Sequence, residues 1–177
     1  MNIIDNFLSD HDFQLTQHFF LGDEIDWKFN NSIVSSEKGI DQYQFVHEFY
    51  NIKYPFQSNY SNFLQPFLTK LNASFIFRLK ANLRPRTNQL VHSNYHTDMD
   101  LNQQTAIFYL NTNDGYTRFK DPSIPDVQSV ANRLVTFDGS LQHCGTSCTD
   151  QNVRVLLNIN YIPSGNFNIN FWSQYTT

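Results

Sequence analysis

The sequence predicts an α+β chain that is mainly β, with two helices placed ahead of a two-sheet β core. Three observations predict this. Apolar residues recur at helical spacing in two stretches before residue 72. The period then switches to two across Phe75–Leu83. From there onward, short runs rich in β-formers alternate with turn residues, about eight strands in all, as two-sheet β cores require.

Asn2 to Leu8 is expected as a short strand. Ser9 follows as a helix N-cap, with Asp10 and Asp12 suited to the positive end of the helix dipole. Phe13, Thr16, Phe19 and Phe20 fall on one helical face, and Gly22 is the stop. Trp27-Lys28-Phe29 and Gln44-Phe45-Val46-His47 are expected as strands, with a turn at Lys38-Gly39. His47 sits in an aromatic run and is expected to pack or face solvent. The second helix is expected over Asn59–Leu71, with Phe63, Phe67 and Leu71 on one stripe and Leu64 and Leu68 beside it.

After the Phe75–Leu83 strand, Arg84-Pro85-Arg86-Thr87-Asn88 reads as a break, with Arg84 and Arg86 either in a solvated loop or in contact with an anionic substrate near the pocket mouth. Strand character resumes over Val91–Asp98, Thr105–Leu110 and Tyr116–Phe119, with a turn over Asn111–Gly115 between the last two. A two-proline loop, Asp121–Pro125, precedes the strand Arg133–Phe137 and the turn Asp138-Gly139. Gln142-His143-Cys144 is extended, Val153–Tyr161 is the strongest strand, and Phe167–Trp172 is a candidate edge.

With 177 residues the chain suits one domain, 1–177, with 1–73 as support and 74–177 as the β core. Seventeen Phe and nine Tyr argue against disorder. A net charge of −4 without a Lys/Arg block argues against nucleic acid or an anionic membrane as partner. There is no membrane-length apolar run and no basic-then-apolar leader, so a cytoplasmic protein is expected. Cys144 and Cys148 are the only cysteines. Cys-x3-Cys beside His143 lacks the second pair a structural zinc site needs.

The chemistry centres on His96-Thr97-Asp98. On a strand, residues two apart share a face, so His96 and Asp98 point the same way. Six histidines and thirteen aspartates produce a His-x-Asp by chance ~0.4 times, so the spacing alone decides nothing. His143 would complete a two-His-one-carboxylate set, which leaves positions open on a metal and is the Fe(II) oxygenase pattern. Asp100 has the same parity as Asp98 and is a rival ligand. In the last strand Arg154, Leu156, Asn158 and Asn160 share one face, and Val153, Val155, Leu157, Ile159 and Tyr161 the other. An inward arginine is costly unless paired, and its fork matches a carboxylate. Its partner is either an anionic cosubstrate or a protein acid such as Asp138.

From Asn82 to Tyr161 the chain resembles the Fe(II)- and 2-oxoglutarate-dependent dioxygenases, in the prolyl-4-hydroxylase-like branch. The pieces that carry the resemblance are His96-Thr97-Asp98, Thr105-Ala106-Ile107-Phe108-Tyr109-Leu110-Asn111 and Gly115-Tyr116-Thr117-Arg118-Phe119. After them come Arg133-Leu134-Val135-Thr136-Phe137-Asp138, His143 and Arg154-Val155-Leu156-Leu157-Asn158. The resemblance implies a double-stranded β-helix (jelly-roll) core behind the two helices. It implies His96, Asp98 and His143 as Fe(II) ligands and Arg154 as the partner of the distal 2-oxoglutarate carboxylate. Tyr109 is implied as a hydrogen-bond donor to that carboxylate, with Thr105 and Ile107 on its inward face and Thr117 and Asn158 lining the pocket. The implied reaction hydroxylates a C–H bond of a peptidyl or small-molecule substrate, with O2 as second cosubstrate and succinate as product.

Two departures bear on the substrate. Tyr116 stands where the family has a second glycine, and Arg84-Pro85-Arg86 occupies the region where many prolyl hydroxylases place a cosubstrate-binding tyrosine. The rival functions are a jelly-roll module that binds a ligand without chemistry, and a structural or assembly protein.

Overall fold

The computed structural model describes residues 1–34, 42–54, 58–99 and 103–165. The turn expected at Lys38-Gly39, the rival ligand Asp100 and the edge expected at Phe167–Trp172 lie outside the described residues.

The described chain forms two antiparallel sheets and two helices. The large sheet has seven strands in the order β1 (Asn2–Ile4), β8 (Arg133–Asp138), β5 (Gln104–Tyr109), β10 (Val153–Pro163), β4 (Ala73–Pro85), β3 (Gln44–Asn51) and β2 (Lys28–Asn30). The small sheet has three, in the order β7 (Val127–Gln128), β6 (Tyr116–Phe119) and β9 (His143–Gly145). This is the two-sheet jelly-roll core expected. No helix among the described residues is long and apolar enough to cross a membrane.

Alternation along β10 sorts the layers. Val155, Leu157 and Ile159 face the helices, together with Leu79 and Ala81 of β4 and Ala106 and Phe108 of β5. Arg154, Leu156 and Asn158 face the small sheet. Leu156 packs there with Ile107, Tyr109, Phe119, Val127, Val135 and Phe137 in a second, smaller core. Phe108 is fully buried, with the rings of Phe7, Phe13 and Phe67 at 5.9, 6.1 and 5.0 Å. Burying a side chain of this size stabilises by about 1.5–3 kcal/mol.

Helix α1 (Asp10–Leu21) starts as its sequence requires: Ser9 Oγ accepts the Asp12 amide at 3.2 Å, and Thr16, Phe19 and Phe20 are buried. The second helix is shorter than expected. A 3-10 turn (Ser61–Leu64) leads into α2 (Gln65–Leu71). Pro66 lacks an N–H and its ring would clash with the carbonyl four residues back, so it fits only a first turn. The buried stripe is Leu64, Phe67 and Leu71, while Phe63 is exposed and stacks on Phe19 at 4.4 Å.

Two further expectations change. The stretch Val91–Asp98 forms only two isolated bridges, His92 to Thr146 and His96 to His143. Between them Ser93 Oγ accepts the Gly145 amide, so a side chain stands in for a ladder bond. The break expected from Arg84 begins later, because β4 runs to Pro85 with Arg84 opposite Arg154 and Pro85 opposite Val153. A proline at the last position of a strand forfeits little of the ladder. Arg84 is therefore buried in a strand, not solvated in a loop, and only Arg86 is exposed.

Candidate metal and cosubstrate site

His96, Asp98 and His143 converge from two separate segments, with one ligand atom from each lying within 4.8 Å of the others. Among the described residues no other group of three His, Cys, Asp or Glu side chains does so. Both rings are oriented by main-chain carbonyls. His96 Nδ1 lies 3.0 Å from Asn94 O and His143 Nδ1 lies 3.1 Å from Leu141 O. Donation from Nδ1–H leaves each Nε2 lone pair free for a metal. Burial lowers the His143 imidazole below its ordinary value against the opposing pull of Asp98.

Asp98 is held on both oxygens. Its Oδ1 takes a 2.9 Å bond from Arg78 Nη2; its Oδ2 accepts from Asn158 Nδ2 at 2.9 Å and Asn160 Nδ2 at 3.3 Å. Burial opposes its charge, but His143, Arg78, the Asn158 amide and Lys80 together outweigh it and keep the carboxyl far below the ordinary range. Asp98 Oδ2 and His143 Nε2 are 3.8 Å apart, too far for a hydrogen bond and close enough to share an ion. Two imidazole nitrogens and one ionised carboxylate form a donor set that fits a divalent transition metal.

Arg154 stands four residues from Asn158 on the same face of β10, about 13 Å along the strand. It is buried; its Nε donates to Ser129 Oγ at 2.8 Å and its Nη2 approaches Thr117 Oγ1 at 3.4 Å. No carboxylate pairs with it among the described residues, and Asp138 is engaged instead with Ser140. Burial pushes its pKa down. Two glycines make room for it: a Cβ on Gly115 would sit 2.7 Å from Arg154 Cδ, and one on Gly145 3.3 Å from Nη1.

One pocket is lined by His96, Asp98, His143, Arg154, Asn158, Ile107 and Thr117 together. Tyr109 and Thr105 sit behind that lining. Tyr109 is fully buried, its hydroxyl donates to Thr117 Oγ1 at 2.8 Å, and its ring lies 5.5 Å from the Arg154 guanidinium. Thr105 Oγ1 accepts from Asn160 Nδ2 at 3.1 Å. His47 is a buried packing histidine, bonded to Asp26 O and Ser58 Oγ, and His92 is exposed, against Tyr116. Cys144 and Cys148 are buried and form no disulfide.

Three pocket residues come from β4, and of these the sequence drew attention only to Arg84. Lys80, Asn82 and Arg84 line the pocket at period two on β4, and Arg78, on the same face, holds Asp98. The alternation of Arg78, Lys80, Asn82 and Arg84 with Leu79, Ala81 and Leu83 was the available signal. Gln44 of β3 adds its amide oxygen, which accepts from Asn82 Nδ2 at 2.8 Å.

No family model and no curated protein matches the sequence. Solved structures do match the fold. An oxidoreductase of the 2OG-Fe(II) oxygenase family from Burkholderia pseudomallei superposes with a TM-score of 0.62 at 11% identity, over 90% of this chain and 84% of that one. A prolyl hydroxylase from Trichoplax adhaerens, solved with a hypoxia inducible factor oxygen degradation domain peptide fragment, gives 0.58 at 13% identity, over 90% and 82%. A Pseudomonas putida prolyl-4-hydroxylase gives 0.57 at 17% identity, over 92% and 91%. The chain thus carries the jelly-roll fold of the 2OG-Fe(II) oxygenases, with prolyl hydroxylases among its structural neighbours, and sets a His-Asp-His triad in it.

Proposed function

We propose that this chain is an Fe(II)- and 2-oxoglutarate-dependent dioxygenase that hydroxylates a C–H bond of a small-molecule or peptidyl substrate. The observation that carries the reading is one pocket holding a His96-Asp98-His143 donor set and a buried arginine without an acid partner. A jelly-roll scaffold or a non-catalytic module has no need of both.

In this reading His96 Nε2, His143 Nε2 and one Asp98 oxygen would hold Fe(II). Arg154 binds the distal carboxylate of 2-oxoglutarate, with Ser129 and Thr117 fixing its fork. Ile107 and Leu156 line the space between and keep water from it. Asn158 orients Asp98, while Tyr109 and Thr105 act one layer back, through Thr117 and Asn160. When bound, iron would activate O2, one oxygen atom going to the C–H to give C–OH and the other into succinate as 2-oxoglutarate loses CO2.

Residues 1–177 act as one oxygenase domain, with 1–73 in support of the 74–177 core. The strands β1, β2 and β3 joining the large sheet support this reading. A cytoplasmic location is supported by two buried thiols that form no disulfide. The net charge of −4 supports a substrate other than nucleic acid.

The test is anaerobic addition of Fe(II) and 2-oxoglutarate, followed by O2. A visible charge-transfer band and then succinate release are expected. The absence of the band, or the same band in His96→Ala, defeats the proposal.

A further inference from the structure

The β4 side of the pocket carries a cation that contacts neither the metal ligands nor the cosubstrate in the reading above. Lys80 lies opposite Asn158 of β10 and opposite Glu48 of β3, and its side chain lines the pocket. Its ammonium makes no hydrogen bond and no ion pair among the described residues. The nearby acids are engaged elsewhere: Asp98 with Arg78, Asn158 and Asn160, and Glu48 with Asn51 at 3.0 Å. Two residues on, Asn82 Oδ1 is buried without a hydrogen-bond partner. A strand rise of about 3.3 Å per residue puts these two side chains ~7 Å apart on one face.

The pocket floor divides along the strands. The line from Asn158 through Leu156 to Arg154 follows β10 and joins the metal ligands to the cosubstrate anchor. Lys80, Asn82, Gln44 and Ile33 form the wall beside that line, on β4, β3 and the segment after β2. A molecule lying along that wall reaches the metal from the side while 2-oxoglutarate occupies the β10 line. Among the described residues the only acid lining the pocket is Asp98.

Resting on the oxygenase reading above, we infer that the substrate is a small carboxylic acid whose carboxylate pairs with Lys80, beside the Asn82 and Gln44 amides. A buried ammonium costs stability unless an anion joins it. Burial first, and then Arg78, bring the Lys80 ammonium down to about 8, so at pH 7 it is still charged and able to bind an anion. Lys80 is therefore a specificity residue for the substrate, not a ligand of the cosubstrate.

The test uses the full chain loaded with Zn(II), which supports no turnover, and saturated with 2-oxoglutarate. Saturation-transfer NMR is recorded with a mixture of the free L-amino acids and simple mono- and dicarboxylic acids, and with the matching carboxamides. Binding of one or more acids but none of the carboxamides is expected. Lys80→Met is expected to weaken that binding at least tenfold, while 2-oxoglutarate affinity, titrated separately, stays within twofold. If wild-type protein binds 2-oxoglutarate but no acid, or binds amides as well as acids, the inference fails and the oxygenase reading stands. Weaker 2-oxoglutarate binding in Lys80→Met also overturns it, by placing Lys80 in the cosubstrate site. Wild-type protein that binds no 2-oxoglutarate overturns both readings.

Discussion

His96 and His143 exchange both of their backbone hydrogen bonds, His96 N to His143 O at 3.0 Å and His143 N to His96 O at 2.9 Å. Residues opposed in this way in an antiparallel pair send their side chains to the same face. The two rings accordingly lie 4.9 Å apart between centroids. The distance between the two imidazole ligands is set by main chain, although 46 residues separate them, and Asp98 follows two residues later from the same segment.

Replacing His96 should remove the metal and little else. The ring is half-buried, and its removal leaves the backbone bridge intact. His96→Ala is expected to lose at least ~100-fold in Fe(II) or Zn(II) affinity, since it deletes a direct ligand and even indirect partners are worth 10–100-fold. Thermal unfolding of the metal-free protein should shift by only a few degrees. Retained metal affinity in an isothermal titration would count against the triad.

Arg154→Met should separate cosubstrate from metal. We expect the 2-oxoglutarate Kd to rise ~100-fold, because truncating one partner of a buried charged pair costs about 2–5 kcal/mol. Metal affinity should hold, since Arg154 touches none of the three ligands. An unchanged Kd, measured anaerobically, would remove Arg154 from the cosubstrate site.

A neutral change of shape should act on the same arginine. A Cβ at Gly115 would meet Ser147 O at 2.5 Å and Arg154 Cδ at 2.7 Å, so Gly115→Ala must displace one of them. Misplacing a binding group by about 1 Å costs on the order of tenfold or more. The expected outcome is weaker 2-oxoglutarate binding with charge unchanged, read in the same titration.

Lys80 should make stability depend on alkaline pH. Its folded value of about 8 lies below the ordinary 10.5, chiefly through burial. Between those two values the folded chain binds fewer protons than the unfolded chain, so stability rises with pH across that window. The cost of the buried ammonium is carried in full below about 8. Lys80→Met is expected to gain on the order of 2 kcal/mol at pH 7 and to flatten the rise. Urea unfolding at pH 7 and about pH 10 decides it, and a less stable variant at pH 7 would contradict the prediction.

Asn132 pins the N-terminal strand and helix to the sheet. It adopts φ +62, donates to Leu8 O at 3.0 Å and accepts from Leu8 N at 2.8 Å. Asn132→Ala loses both bonds and puts an alanine where asparagine is better tolerated, a cost of about 2–3 kcal/mol. Unfolding should shift accordingly while metal affinity stays constant, because no ligand lies nearby in the fold.

Much of the site could be read before any coordinates, and the parts that could not share a cause. Arg154 and Asn158 were legible because parity within one strand is a local property, and β10 is regular over that span. Arg78 was not, because its role depends on Asp98 twenty residues away reaching it across the pocket. Arg84 was misread because Arg-Pro-Arg resembles a breaker, whereas a proline at the end of β4 lets the strand finish with Arg84 still inside. The second helix lost its first turn to Pro66, a residue that hydrophobic periodicity ignores. The bridge-only character of Val91–Asp98 turns on a single serine hydroxyl, which no strand pattern registers.

The two sheets are joined differently at their two ends. On one side Ile107, Tyr109, Phe119, Val127, Val135 and Phe137 make a dry seam. On the other, Asp98 to Arg78 and Asn158, and Arg84 to Gly145 O at 3.1 Å, are polar contacts that water can replace. Breathing of the sandwich should therefore pivot on the aromatic seam and open at the polar edge, and an ion held by all three triad residues would latch it. Amide exchange in β9 and the His96 segment should then slow on metal loading far more than exchange in β8. The small sheet, in those terms, is a jaw whose catch is the ion it holds.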